Sequence, residues 1–346
     1  MTNKYKNVYI SDVSTVVGPY EYDGPLSKRF DRHYNDLYMK EDSLESAEIH
    51  LMKESVDILL DKIKRPKKDI KLFIAGDLQN QITSSCYTAE YLGCPFLGVY
   101  SACASNVEGL IIASNMINSK QTDNCIVSVS SHNMVAERQF RNPTEYGGPK
   151  PNSATFTATG GVSAFLTNKK SKIKVESSTI GKAIDMNQSD PNHMGACMAP
   201  AAAYTINKHL QDLNRTVDYY DLIVTGDLGT YGKDILIDYM NTEYGIDLSN
   251  NYNDCGIMLY DVESQKDVQA GGSGPVCSAL VVYGDLIPKL KQKEIKKVLY
   301  VATGALFNPT LIFQKENILS IAHAISLEVV EWYTFIRSYS QDSFVW

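Results

Sequence analysis

The chain repeats itself, and the repeat restricts its fold more than any other feature. Leu72-Phe-Ile-Ala-Gly-Asp-Leu78 returns as Leu222-Ile-Val-Thr-Gly-Asp-Leu228, and Cys125-Ile-Val-Ser-Val-Ser-Ser131 has its partner in Lys297-Val-Leu-Tyr-Val-Ala-Thr-Gly304. Between the members of each pair stands a turn of small residues, Ser101-Ala-Cys-Ala-Ser105 first and Gly271-Gly-Ser-Gly-Pro275 later. One such string means little, but three matches in the same order are a strong signal. Continuous apolar runs of this kind read as strands buried on both faces. The predicted architecture is α/β, with two βαβ-rich halves that each carry a mostly parallel sheet. A chain of 346 residues has the length for one large core or two fused similar halves.

Local signals fill in this plan. Ser43 is a fitting N-cap for an amphipathic helix running to Ile63, and Lys64-Arg-Pro-Lys-Lys68 closes it as a solvated turn. Phe96–Tyr100 reads as a buried strand, and Asn106 to Met116 carries apolar residues at helical spacing. Cys103 falls at the junction between those two elements. A thiol there lies near the positive end of a helix dipole, where a nucleophilic cysteine is made. Ala201–Leu213 reads as a further helix with a strand from Asp221. Phe307-Asn-Pro-Thr310 reads as a turn after the last strong strand, and His132 to Pro151 as a polar loop.

Composition excludes several classes of function. The formal net charge of −7 argues against a nucleic-acid partner, which needs a basic face. No run of about 18 apolar residues exists to span a bilayer, and Met1-Thr-Asn-Lys-Tyr-Lys6 lacks the apolar stretch of a secretory signal. The expectation is a cytosolic protein, or one docked on a membrane through partners. Seven cysteines without a C-x-x-C pair, and six histidines that do not cluster with them, suggest packing thiols rather than zinc or a disulfide framework. No D-x-D-x-D-G loop offers a calcium site, and nothing calls for a cofactor.

The strand–turn–Cys103–helix unit and the doubled halves resemble the thiolase and ketoacyl-synthase superfamily. More narrowly, Ala75-Gly-Asp-Leu-Gln-Asn80, Ser130-Ser-His-Asn133, Ala136-Glu-Arg-Gln-Phe-Arg-Asn-Pro-Thr-Glu-Tyr-Gly-Gly148, Met198-Ala-Pro-Ala-Ala-Ala203, Ala270-Gly-Gly-Ser-Gly274 and Val301-Ala-Thr-Gly-Ala305 resemble the stage V sporulation protein AD family. The resemblance implies a thiolase-like five-layer αβαβα fold with pseudo-repeated halves at 1–172 and 173–327. The segment 328–346 is an atypical tail to which no function is carried over. It further implies a non-catalytic protein that binds dipicolinic acid (pyridine-2,6-dicarboxylate), free or as its calcium chelate. Such a protein acts beside membrane-embedded channel subunits, peripheral to the inner membrane of the spore or forespore.

Condensing relatives complete their site with two histidines, or a histidine and an asparagine. At the matching places this chain has Thr225-Gly-Asp227 and Ala270-Gly-Gly-Ser273. An ionised Asp227 donates no hydrogen bond to an oxyanion. A flat dicarboxylate asks for donors at both ends and a ring face to stack on. The candidate ligand-binding residues are therefore Cys103, His132, Arg138, Thr225, Asp227, Gly272, Ser273 and Gly274, with no catalytic or metal-binding residue among them. For His132 the alternative is satisfaction by local backbone. For Arg138 and Arg141 it is pairing with Glu137 or Glu145, and His193 reads as structural. Two other functions stay open, a condensing or thiolytic enzyme using Cys103 and a scaffold for channel subunits. A homodimer through the sheet edge of the first half, with Asn124–Ser130 as that edge, and a monomer are likewise open.

Overall fold

A computed structural model describes residues 1–140 and 149–330. The first half contributes strands β1 (Thr2–Lys4), β2 (Tyr9–Val17), β3 (Arg32–His33), β4 (Phe73–Gly76), β5 (Phe96–Gly98), β6 (Asn124–Ser131), β7 (Phe156–Thr157) and β8 (Gly160–Thr167). The second contributes β9 (Ile173–Thr179), β10 (Leu222–Thr225), β11 (Tyr252–Asp254), β12 (Gly272–Ser273), β13 (Lys297–Leu306) and β14 (Leu319–Val329). Strands run β5-β4-β6-β8-β2 in the first half and β11-β10-β13-β14-β9 in the second. Counted within its own half, each order is 3-2-4-5-1, so the two halves share one topology. In each, two parallel pairings are followed by two antiparallel ones, which makes the sheets more mixed than the sequence suggests. The halves meet where Tyr9 and Ile10 of β2 pair with Lys174 and Ile173 of β9.

Alternation along the strands explains the layering, because successive side chains point to opposite faces. Ile74, Val127 and Val129 face inward onto the helix Ser105–Asn118 and the helical stretch from Pro275 to Gln292, joined by Val298, Tyr300 and Ala302 of the other sheet. Phe73, Ala75 and Ile126 face outward onto the helices Leu44–Ile63 and Thr83–Leu92. Ile223, Leu299 and Val301 face outward onto Met194–Leu213 and Gly229–Tyr244. Helix, sheet, helix pair, sheet, helix is the expected five-layer αβαβα order. In the central layer Asn106 donates to the Tyr300 hydroxyl (3.2 Å) and accepts from that of Tyr283 (3.0 Å).

Several local expectations need correction. Phe96–Tyr100 is not a buried strand. β5 stops at Gly98 and lies at the outer edge of the sheet, bonded only to β4, with Leu97 42 % exposed. The Asn124–Ser130 segment is not an edge, since β6 is held between β4 and β8. The stretch read as a loop from His132 opens with a helix, Asn133–Phe140. Arg141 and Glu145 lie outside the described residues. The strand at Lys297 is not the last, because β14 returns antiparallel to it over ten paired residues. Ser43 caps its helix as expected, its Oγ accepting from the Ser46 N–H at 3.1 Å.

Candidate functional site

The site lies where the loops after β4, β6, β10 and β13 converge between the two halves. Ala102 is held at φ +49°, an unfavourable conformation for a residue with a Cβ. The turn that imposes it is pinned by Ser105, whose Oγ accepts from the Ser101 N–H (3.0 Å) and donates to the Ala102 carbonyl (2.7 Å). Cys103 is thereby set, 8 % exposed, just ahead of the helix Ser105–Asn118. Gly304 of β13 packs directly on this elbow. A Cβ there would lie 2.3 Å from the Ser101 carbonyl oxygen, which requires glycine.

Opposite the elbow, Asp227 follows β10. Its Oδ1 accepts from the Thr303 hydroxyl (2.6 Å), its Oδ2 from the Gly274 N–H (3.3 Å), and the Cys103 thiol is a further hydrogen-bond partner. Burial pushes this carboxyl up to about 7, aided by nearby Asp254, while the bonds from Thr303, Cys103 and Gly274 pull the other way. A carboxyl at this height is partly protonated near neutrality and can donate as well as accept a hydrogen bond. The loop carrying Asp227 is fixed by Asp254, which the sequence reading missed. Asp254 accepts from the N–H groups of Leu228 (2.9 Å), Gly229 (2.9 Å) and Gly256 (3.0 Å). An aspartate just before a helix was the available signal.

The glycine turn approaches from below. Gly271 (φ +129°) and Gly274 (φ +94°) occupy backbone conformations that L side chains rarely adopt. Between them β12 pairs with β7, so Gly272 and Ser273 sit beside Phe156 and Thr157. Cys103, Thr157, Ser273 and Gly274 form the floor of a small cleft. Tyr100, Phe140 and Phe307 wall it, the two phenylalanine rings meeting edge to face at 6.0 Å. Beside these rings lies a groove whose lining includes Gln79, Asn80, Gln81, Gln139 and Asn308.

The structure brings Cys103, Asp227, Ser273 and Gly274 together and places the other four candidates elsewhere. The Thr225 hydroxyl is bonded to Asp254 (2.7 Å) and the Tyr252 hydroxyl (2.7 Å), behind the Asp227 loop. Gly272 faces Tyr260 and Cys277 rather than the cleft. His132 is fully buried and its Nε2 lies 2.9 Å from the Leu37 carbonyl oxygen. Burial pushes its pKa below the usual imidazole range. The Arg138 guanidinium pairs on the surface with Glu45 at 2.8 Å. His193 precedes the helix Met194–Leu213 and stands edge-on to Tyr231. Among the described residues no histidine, lysine or arginine lines the cleft.

Known structures share this architecture. A 3-oxoacyl-[acyl-carrier-protein] synthase III from Aquifex aeolicus superposes with a TM-score of 0.56 at 12% identity, covering 93% of this chain and 99% of that one. A variant of OleA from Xanthomonas campestris superposes with a TM-score of 0.59 at 14% identity, covering 94% and 99%. At such identities the likeness is one of fold. The sequence comparisons reach further. Stage V sporulation protein AD of Bacillus subtilis is 43% identical over 321 residues, 93% of this chain and 94% of that protein. The family model for stage V sporulation protein AD matches residues 2–328. This chain, with its thiolase-like fold and its cysteine–aspartate pair, belongs to the stage V sporulation protein AD family and has a role in sporulation.

Proposed function

We propose that the cleft is a non-catalytic receptor for dipicolinate, serving calcium dipicolinate transport across the inner spore membrane during sporulation and germination. The observation that carries this reading is the partner of Cys103, a buried carboxyl where a condensing enzyme has an imidazole. A carboxyl beside the thiol supplies no positive charge to hold a thiolate, and in its charged form no donor for an oxyanion. The same surroundings suit a flat aromatic diacid. Tyr100, Phe140 and Phe307 offer ring faces. Thr157, Ser273 and Cys103 line the cleft and offer uncharged donors.

A floor without cations among the described residues is poorly matched to a free dianion and better matched to its calcium chelate, in which the metal offsets both carboxylates. The membrane-embedded channel subunits are the proposed partners, and the protein is peripheral to the inner membrane. No helix among the described residues is long and apolar enough to cross a membrane. A homodimer would join at the free edge of β5.

Isothermal titration of dipicolinate into the purified protein, with and without calcium, tests the reading. Binding strengthened by calcium and abolished by Ser273→Trp is the expected result. No heat at millimolar ligand in either condition would overturn it. A second reading, a condensing enzyme, is favoured by the retained elbow at Ala102–Cys103. It requires a covalent adduct on Cys103 after incubation with an acyl-CoA, visible as added mass.

A further inference from the structure

The chain is acidic overall, yet its lysines are not spread evenly. Lys6, Lys71, Lys120, Lys169, Lys172 and Lys296 are all exposed. They stand on loops that enter β2, β4, β6, β9 and β13, at the end of the sandwich away from the cleft. Hydrogen bonds from backbone N–H groups, to side-chain amides and to carbonyls, tie these loops together. Lys6 N–H donates to Asn118 (3.1 Å) and Lys71 N–H to Asn124 (3.1 Å). Asn168 N–H donates to the Asp123 carbonyl (3.1 Å), Val330 N–H to that of Lys172 (2.8 Å) and Val329 N–H to that of Lys296 (2.9 Å). None of the six lysines pairs with an acid among the described residues. Asp123, Asp221 and Glu294 are exposed counter-charges among them, and the neighbouring loop that enters β10 adds Asp218.

The geometry points to this lysine-rich end as a docking face for an anionic lipid surface. Loops at the ends of packed sheets form a broad face that can set many charges against a membrane at once. Each lysine near such a surface contributes roughly 1 kcal/mol, and the attraction fades within a Debye length. A nucleic-acid duplex would also meet the acidic remainder of the molecule, so a planar surface touched by one end alone suits the charge distribution better. The ten residues of β13, from Lys297 to Leu306, separate the face from the cleft by about 30 Å. Docked in this way, the protein turns its cleft toward the aqueous phase. The inference goes beyond the dipicolinate reading and does not depend on what the cleft binds.

Co-sedimentation with vesicles of phosphatidylglycerol, against vesicles of phosphatidylcholine, tests the face directly. Expected is binding to the anionic vesicles alone, lost at high salt and not displaced by millimolar inorganic phosphate. The triple variant Lys71→Glu, Lys120→Glu, Lys169→Glu changes only exposed side chains and should weaken vesicle binding more than about 100-fold. Lys315→Glu with Lys266→Glu, which lie on other loops, should leave it unchanged. Circular dichroism and dipicolinate titration on the same variants separate a failure of this face from a failure of the cleft. No binding to phosphatidylglycerol at low salt, or equal binding by the triple variant, would overturn the inference. Displacement by inorganic phosphate would overturn it in favour of a simple anion site.

Discussion

Replacing Glu21 with glutamine should make this protein more stable in alkaline solution and leave it unchanged in acid. Glu21 is fully buried beside the junction of the halves. Its Oε1 accepts from the Thr159 N–H (2.9 Å) and from the Tyr260 hydroxyl, while Oε2 has no partner of standard hydrogen-bond geometry. Burial pushes the carboxyl from 4.5 to about 7, despite the bonds from Tyr260 and Thr159 that favour its charged form. The folded state therefore holds a proton that the unfolded chain releases near pH 4.5. Stability is full below that value and is lost as pH rises through about 7. At 1.36 kcal/mol per pKa unit the loss is about 3 kcal/mol. Glutamine keeps the accepting oxygen for Thr159 and Tyr260, sets an amide where Oε2 stood, and removes the titration. Urea unfolding at pH 5 and pH 8.5 measures the difference. The variant should match the parent at pH 5 and exceed it by up to about 3 kcal/mol at pH 8.5. An equal effect at both pH values would show that Glu21 is not held neutral by burial, and a loss at both would show that its charge is needed.

Three other outcomes follow from named contacts. The charge that Asp227 gains as pH rises through about 7 stands behind Cys103 and repels a bound carboxylate, so dipicolinate affinity should fall above that pH, by up to tenfold per pH unit, and Asp227→Asn should flatten that profile in calorimetry from pH 6 to 8.5. Gly304→Ala puts a methyl group 2.3 Å from the Ser101 carbonyl oxygen, and thermal unfolding should report a loss of about 1–3 kcal/mol with the elbow displaced. Arg215 grips Glu176 through two bonds of 2.9 and 2.8 Å. Although burial alone would raise Glu176, the guanidinium holds it at about 2, so Arg215→Ala should cost about 3 kcal/mol near pH 7 in chemical unfolding. That cost should shrink as pH falls from about 4.5 toward 2, because protonating Glu176 removes its need for a partner.

The sequence by itself determined what repeats and what is local. Two copies of an apolar strand pattern sufficed for two like halves, because burial on both faces leaves a continuous apolar run in the chain. The cap at Ser43 and the elbow at Cys103 are set by neighbours within a few residues. The edge position of β5 was not legible, since Phe96-Leu-Gly is as apolar as an inner strand and only the absence of a neighbour beyond it makes it an edge. Side-chain pairing was also left to the tertiary structure. Arg138 was a candidate ligand group until the fold set it against Glu45, 93 positions away, and His132 until the Leu37 carbonyl reached it from 95 away. Asp227 is the clearest case. Its residue type and place after a strand are in the sequence, but the burial that pushes it to about 7, and the bonds from Thr303, Gly274 and Cys103 that pull against that push, arise only when other segments fold around it. A short-range pattern can write an element into the chain, whereas the environment of a charge is a property of everything folded against it.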